Sequence, residues 1–194
     1  MKIHKRAHTD NALEGIAMED TDSAKSRTAL QVQTADWLLR GEHNVMVTLT
    51  FSGEDGASYK FAEKAFGAFA HKLKCHLFGT NSKKRIAMCP IVEDYGTEMM
   101  WSTSSAGVRQ GTHIHCLMRL PGSPMDHRDL VRKLWRSSGR RCGDPKINCP
   151  NRDDWYVEMK EEHDRFELTN YALKKCENNI DGILVKFVPI RATT

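Results

Sequence analysis

The sequence predicts an α+β fold in which one antiparallel sheet carries helices on one face. Two observations predict it. Short β-branched runs with a period of two alternate with longer runs whose apolar residues recur at helical spacing. After a first helix, the segments follow the order β-α-β-β-α-β-α, the pattern of a ferredoxin-like or RRM-like sheet. A chain of 194 residues suits one domain with a real core.

Residues 1–25 are polar and lack any period, and are expected to form a flexible arm ahead of a domain spanning 26–194. Residues 26–40 (SRTALQVQTADWLLR) predict a helix with Leu30, Trp37 and Leu38 near one face, closed by Gly41. Residues 45–51 (VMVTLTF) form a β-branched run and predict a strand. In residues 58–78, Phe61, Ala65, Phe69, Leu73 and Leu77 recur at helical spacing, and Gly79 supplies the stop. Residues 85–94 (RIAMCPIVED) predict a second strand, with Pro90 marking an edge or a bulge. A polar hairpin loop over 95–110 leads to a third strand, residues 111–120 (GTHIHCLMRL), ended by Pro121-Gly122.

Residues 126–138 predict a helix capped by Asp126, with Leu130, Leu134 and Trp135 facing inward. Residues 155–160 (WYVEMK) alternate as a strand, residues 168–176 (LTNYALKKC) read as a helix, and 183–189 as a last strand. No internal repeat or low-complexity tract interrupts this order.

Composition narrows the class. No run of about 18 apolar residues is present, so no membrane span is expected. The basic first ten residues lack a following apolar stretch, which argues against a secretory signal and for an intracellular protein. The six cysteines, Cys75, Cys89, Cys116, Cys142, Cys149 and Cys176, form no CxxC pair. Buried thiols are expected of them, ahead of a zinc loop at Cys142 and Cys149. The net charge of +4 is modest, but basic residues cluster at Lys83-Lys84-Arg85, Arg132-Lys133, Arg140-Arg141 and Lys174-Lys175. Such clusters suit a phosphate-binding face, with Lys83, Lys84, Arg85, Arg140 and Arg141 as candidate contacts, to DNA if the resemblance described below holds. Trp101 in the hairpin loop is a candidate equally for base stacking and for a partly buried loop anchor.

Chemistry begins at His113-Ile114-His115. Strand side chains alternate faces, so the two imidazoles share one face and Ile114 points to the core. Nine histidines in 194 positions give roughly 0.4 such pairs by chance, so the spacing alone decides nothing. A third ligand is at hand, because the neighbouring strand ends at Glu93 and antiparallel neighbours lie about 5 Å apart. Asp94 and Glu98 are rivals for that role. Two imidazoles and a carboxylate suit Mn²⁺ or Mg²⁺ acting on a phosphate, and also accommodate Zn²⁺, Co²⁺ or Ni²⁺. Tyr171 is the candidate nucleophile, since Lys174 and Lys175 follow it at helical spacing. A free phenol is largely protonated near pH 7, and an adjacent ammonium with a metal-polarised phosphate eases its attack.

Four segments in order, VTLTF (47–51), PIVED (90–94), THIHCLMRLP (112–121) and NYALKK (170–175), resemble motifs of the HUH endonuclease superfamily. The resemblance covers roughly residues 45–176 and is nearest to the replication-initiator (Rep) class, in which the tyrosine motif follows the paired histidines. It implies metal ligands Glu93, His113 and His115, nucleophile Tyr171, and Lys174 or Lys175 assisting at the phosphate. A departure from the pattern is the long 95–110 insertion, which bears on the third ligand. The activity implied is nicking and joining of single-stranded DNA or an origin hairpin through a 5′-phosphotyrosine, initiating rolling-circle replication. The setting implied is a bacterial cytoplasm, with a plasmid or phage gene. No GxxxxGK[ST] motif is present, so unwinding is expected from a separate helicase. Competing readings are a one-tyrosine transposase of the same superfamily, a non-catalytic nucleic-acid-binding module on an RRM-like sheet, and a metallohydrolase using bound water.

Overall fold

The computed structural model describes residues 28–52, 57–93, 112–144, 155–176 and 180–188. The expected arm at 1–25, the 95–110 loop with Glu98 and Trp101, and Asp94 and Cys149 lie outside them. Among the described residues, four strands form one antiparallel sheet: β1 (Val45–Thr50), β2 (Ala87–Glu93), β3 (His113–Arg119) and β4 (Tyr156–Glu158). Their order is β2-β3-β1-β4, so β1 and β3 are central. Pro90 does sit on an edge strand, where its missing N–H takes no ladder bond away.

Among the described residues, four α-helices accompany the sheet: α1 (Ala29–Leu39), α2 (Tyr59–Phe78), α3 (Arg128–Arg136) and α4 (Glu162–Ala172). Helices α2 and α3 are the crossovers of the βαββαβ core, and both pack on the face bearing Val45, Val47, Leu49, Ile114, Cys116 and Met118. Helix α2 begins where Ser58 accepts from the Phe61 N–H and ends where Gly79 adopts φ 86°. Its buried face is Ala62, Ala65, Phe66, Phe69 and Leu73, with Phe61 and Leu77 only partly covered. Trp135 fills the centre of this layer, edge-on to Phe51 and Phe69, and its indole N–H donates to the Thr50 carbonyl at 2.9 Å. Truncating so buried an aromatic costs about 3–5 kcal/mol in a typical core.

The expectation of helices on one face is corrected. Helices α1 and α4 bracket the βαββαβ core and cover part of the opposite face. There Ala35, Leu38, Ala172, Leu173 and Cys176 bury Met46, Cys89, Ile91 and Leu117. The physical reason is that Met46, Cys89, Ile91 and Leu117 are apolar on that face too, and need a cover.

Other expectations shift locally. In α1 the inward residues are Gln31, Thr34, Ala35 and Leu38, whereas Trp37 is 41% exposed. Asp126 does not cap α3: it lies within a 3₁₀ turn, Pro124–His127, that runs directly into the helix. Val131 and Trp135 are the buried residues of α3, and Leu130 and Leu134 only line its margin. Helix α4 starts six residues before the expected helix at 168–176 and ends at Ala172, so Lys174 and Lys175 occupy the turn after it. Its acid-rich opening is favourable at a helix N-terminus, and Glu161 and Asp164 form a reciprocal cap. Of the last expected strand, 183–189, the described residues 183–188 show one bridge, between Ile183 and Ile91, followed by a 3₁₀ turn, Val185–Phe187. Phe187 leaves the sheet to pack edge-on against Phe66 at 5.0 Å. Gly182 is needed here, because a Cβ would lie 2.8 Å from the Val92 carbonyl oxygen.

A candidate metal centre beside a helical tyrosine

Register builds the site. On the α1/α4 face, Glu93 of β2 lies directly across from His113 of β3, which lies across from Thr50 of β1. The next row on the same face is Ile91, His115 and Thr48. Side chains in such rows point the same way and touch. Both histidines therefore meet the carboxylate, while Ile114 between them is fully buried in the other layer.

The three ligating atoms form a nearly equilateral triangle. His113 Nε2 and His115 Nε2 are 3.1 Å apart, and Glu93 Oε2 is 3.2 Å from the first and 3.1 Å from the second. Each imidazole Nε2 offers one in-plane position, either a proton or a lone pair. Three mutual contacts among such atoms cannot all be hydrogen bonds. A single cation bound by all three resolves the conflict. Two ligands about 2.1 Å from one ion and at right angles lie ~3.0 Å apart, close to the observed edges. The residues present thus fit a divalent metal.

Surrounding groups favour that state. His115 is buried, and desolvation lowers its pKa to about 4, so its ring is neutral near pH 7. Its Nδ1 lies 3.0 Å from Thr48 Oγ1. With Nδ1–H donating to that hydroxyl, the Nε2 lone pair is left facing the triangle.

Helix α4 delivers the tyrosine. The Tyr171 ring stands edge-on to His115 with centroids 5.1 Å apart, and the residue is 50% exposed. Lys174 reaches back from the turn: its Nζ is 3.1 Å from Glu93 Oε2 and 3.9 Å from the Tyr171 ring centroid. Burial opposes its charge, but the hydrogen bond with Tyr171 and the Glu93 carboxylate outweigh burial and raise its pKa. Lys175 is exposed in the same turn.

The candidate DNA contacts divide between the two ends of the sheet. Lys83, Lys84 and Arg85 are exposed ahead of the first residue of β2, whereas Glu93 is its last. At ~3.3 Å per residue they stand roughly 20 Å or more from the triangle. Arg140 and Arg141 are exposed at the site end, where the Ser52 N–H donates to the Arg141 carbonyl at 2.6 Å just past β1.

Thr48, which meets His115 Nδ1, was not among the expected site residues, and its place in the strand expected at 45–51 was the available signal. Gln31, bonded to the Leu173 carbonyl 142 positions away, carried no signal at all.

Fold and site together define a class: an α+β chain with a buried two-histidine, one-carboxylate group able to hold a divalent metal. Comparison with family models, curated proteins and solved structures found no match. Among the described residues, no helix is long and apolar enough to cross a membrane.

Proposed function

We propose that this chain nicks and rejoins single-stranded DNA by tyrosine transesterification, and so initiates rolling-circle replication. The observation that carries the reading is the convergence of Glu93, His113 and His115 with the Tyr171 ring and the Lys174 ammonium. The ligand set by itself would serve many divalent-metal reactions. A phenol and an ammonium beside it favour a phosphodiester.

Glu93, His113 and His115 would hold the ion, Mn²⁺ or Mg²⁺ in this reading. Once bound, it would supply Lewis-acid withdrawal of charge from a non-bridging phosphate oxygen. The Tyr171 hydroxyl attacks phosphorus, giving its proton to solvent water as the new O–P bond forms. The P–O3′ bond breaks, and the departing 3′ oxygen takes up a proton. Lys174 places positive charge beside the phenolic oxygen and the phosphate. Because the phosphodiester is exchanged and not hydrolysed, a later 3′-OH can reverse the step and close a circle. Half-exposure of Tyr171 suits a substrate strand arriving from solvent.

The test uses hairpin-bearing single-stranded oligonucleotides, labelled on the 3′ side, with the full chain and Mn²⁺ on a denaturing gel. A protein-shifted label, lost with EDTA and with Tyr171→Phe, is the expected result. Cleavage without an adduct would transfer the attack to water, and an adduct surviving Tyr171→Phe would move the nucleophile elsewhere.

A further inference from the structure

We infer that Gln31 is a positioning residue for the turn that carries Tyr171 and Lys174, an inference that rests on the function proposed above. Gln31 is buried in the first turn of α1, and both ends of its amide are engaged. Its Oε1 accepts from the Thr28 N–H at 3.0 Å, completing the cap of α1. Its Nε2 donates to the Leu173 carbonyl at 3.2 Å. Leu173 closes α4 and stands between the tyrosine and the lysine.

The Leu173 carbonyl already accepts the Cys176 N–H at 2.8 Å, so Gln31 takes its second lone pair. Leu173 and Cys176 are buried against the sheet, while Tyr171 is half exposed. The turn is therefore held by apolar burial, by its own backbone bonds, by the Lys174–Glu93 ion pair and, from α1, by Gln31. Burial of leucine is tolerant of rotation, whereas a directed hydrogen bond is not. Gln31 is the contact that fixes how the turn is rotated about the α4 axis. That rotation decides whether Lys174 meets Glu93 and whether the Tyr171 ring stands edge-on to His115. Nothing in Gln31 touches the reacting atoms; it acts through the turn.

The functions of the amide can be separated. Gln31→Glu keeps an oxygen toward the Thr28 N–H and replaces the donor to Leu173 with an acceptor. Gln31→Leu removes both bonds, and Thr28→Val removes the side-chain oxygen that caps α1 while leaving the donor to Leu173. Amide hydrogen exchange over 171–176 reads the turn, and adduct formation with the hairpin oligonucleotides and Mn²⁺ reads its consequence. Both Gln31 variants are expected to exchange roughly fivefold faster over 171–176, the equivalent of losing one ordinary hydrogen bond. They are also expected to lower kcat for the adduct by roughly fivefold while KM for DNA stays near the wild-type value. Thr28→Val should leave both readouts near wild type. Wild-type exchange and kcat in Gln31→Glu would overturn the assignment, as would Thr28→Val matching the Gln31 variants. Absence of any wild-type adduct would instead sink the nuclease reading, with the exchange arm still deciding the role of Gln31.

Discussion

Lys174→Met gives the sharpest test of how the centre is balanced. Glu93 Oε2 is shared: it meets both imidazole nitrogens and also the Lys174 ammonium at 3.1 Å. An incoming divalent ion must take that oxygen while the ammonium gives up part of its contact. A hydrogen bond to a charged group is worth about 1.5–3 kcal/mol. The lysine side chain is 29% exposed, so solvent screening reduces that to ~1 kcal/mol. At about 1.4 kcal/mol per tenfold, its removal corresponds to roughly fivefold. Methionine keeps the length and apolar stem of the side chain without the charge. Calorimetric titration with Mn²⁺ in the absence of DNA is therefore expected to show Kd about fivefold lower in Lys174→Met. Adduct formation should fall in the same variant, because the positive charge at the phosphate is gone. Unchanged or weaker Mn²⁺ binding would refute the reasoning, and would make Lys174 a support of the metal group instead of its competitor.

Thr48→Val removes the partner of His115 Nδ1 while keeping the β-branched shape that the central strand favours. Mn²⁺ affinity is expected to drop 10–100-fold, the usual consequence of losing such a partner, with the melting temperature little changed. His43 offers a pH prediction away from the centre. Burial is the larger influence and lowers its pKa to about 4, against a backbone hydrogen bond with Leu38 that works the other way. A histidine depressed in the folded state binds its proton more readily when unfolded. Its contribution is therefore complete above pH 6.5 and is lost as pH falls toward 4, by on the order of 3 kcal/mol. Urea midpoints followed from pH 7.5 to 4.5 should decline less in His43→Gln than in wild type, and an NMR titration of His43 centred near 6.5 would contradict this.

Period and composition carried much of the fold. The β-branched run at 45–51 marked β1, and period-two alternation put His113 and His115 together with Ile114 opposed. Ser58 and Gly79 bounded α2 as their backbone preferences require. These are local properties, set by the chain's neighbours one to four positions away, so a linear reading can reach them. The helix bearing Tyr171 was legible only in part, because its opening residues, Glu162 to Arg165, carry no apolar period.

What only the folded chain decides is who stands opposite whom. Strand register, not spacing, brings Glu93 across from His113 and Thr48 across from His115. A shift of one residue would have sent the same carboxylate to the other face. The choice of Lys174 as the lysine held against Glu93 follows from α4 ending at Ala172, since a turn and not a helix then aims the next residues. The second helical layer arose because α1 and α4 found apolar cover on the face opposite α2 and α3. Such pairings join residues tens of positions apart, and their energy exists only once the intervening chain has been ordered.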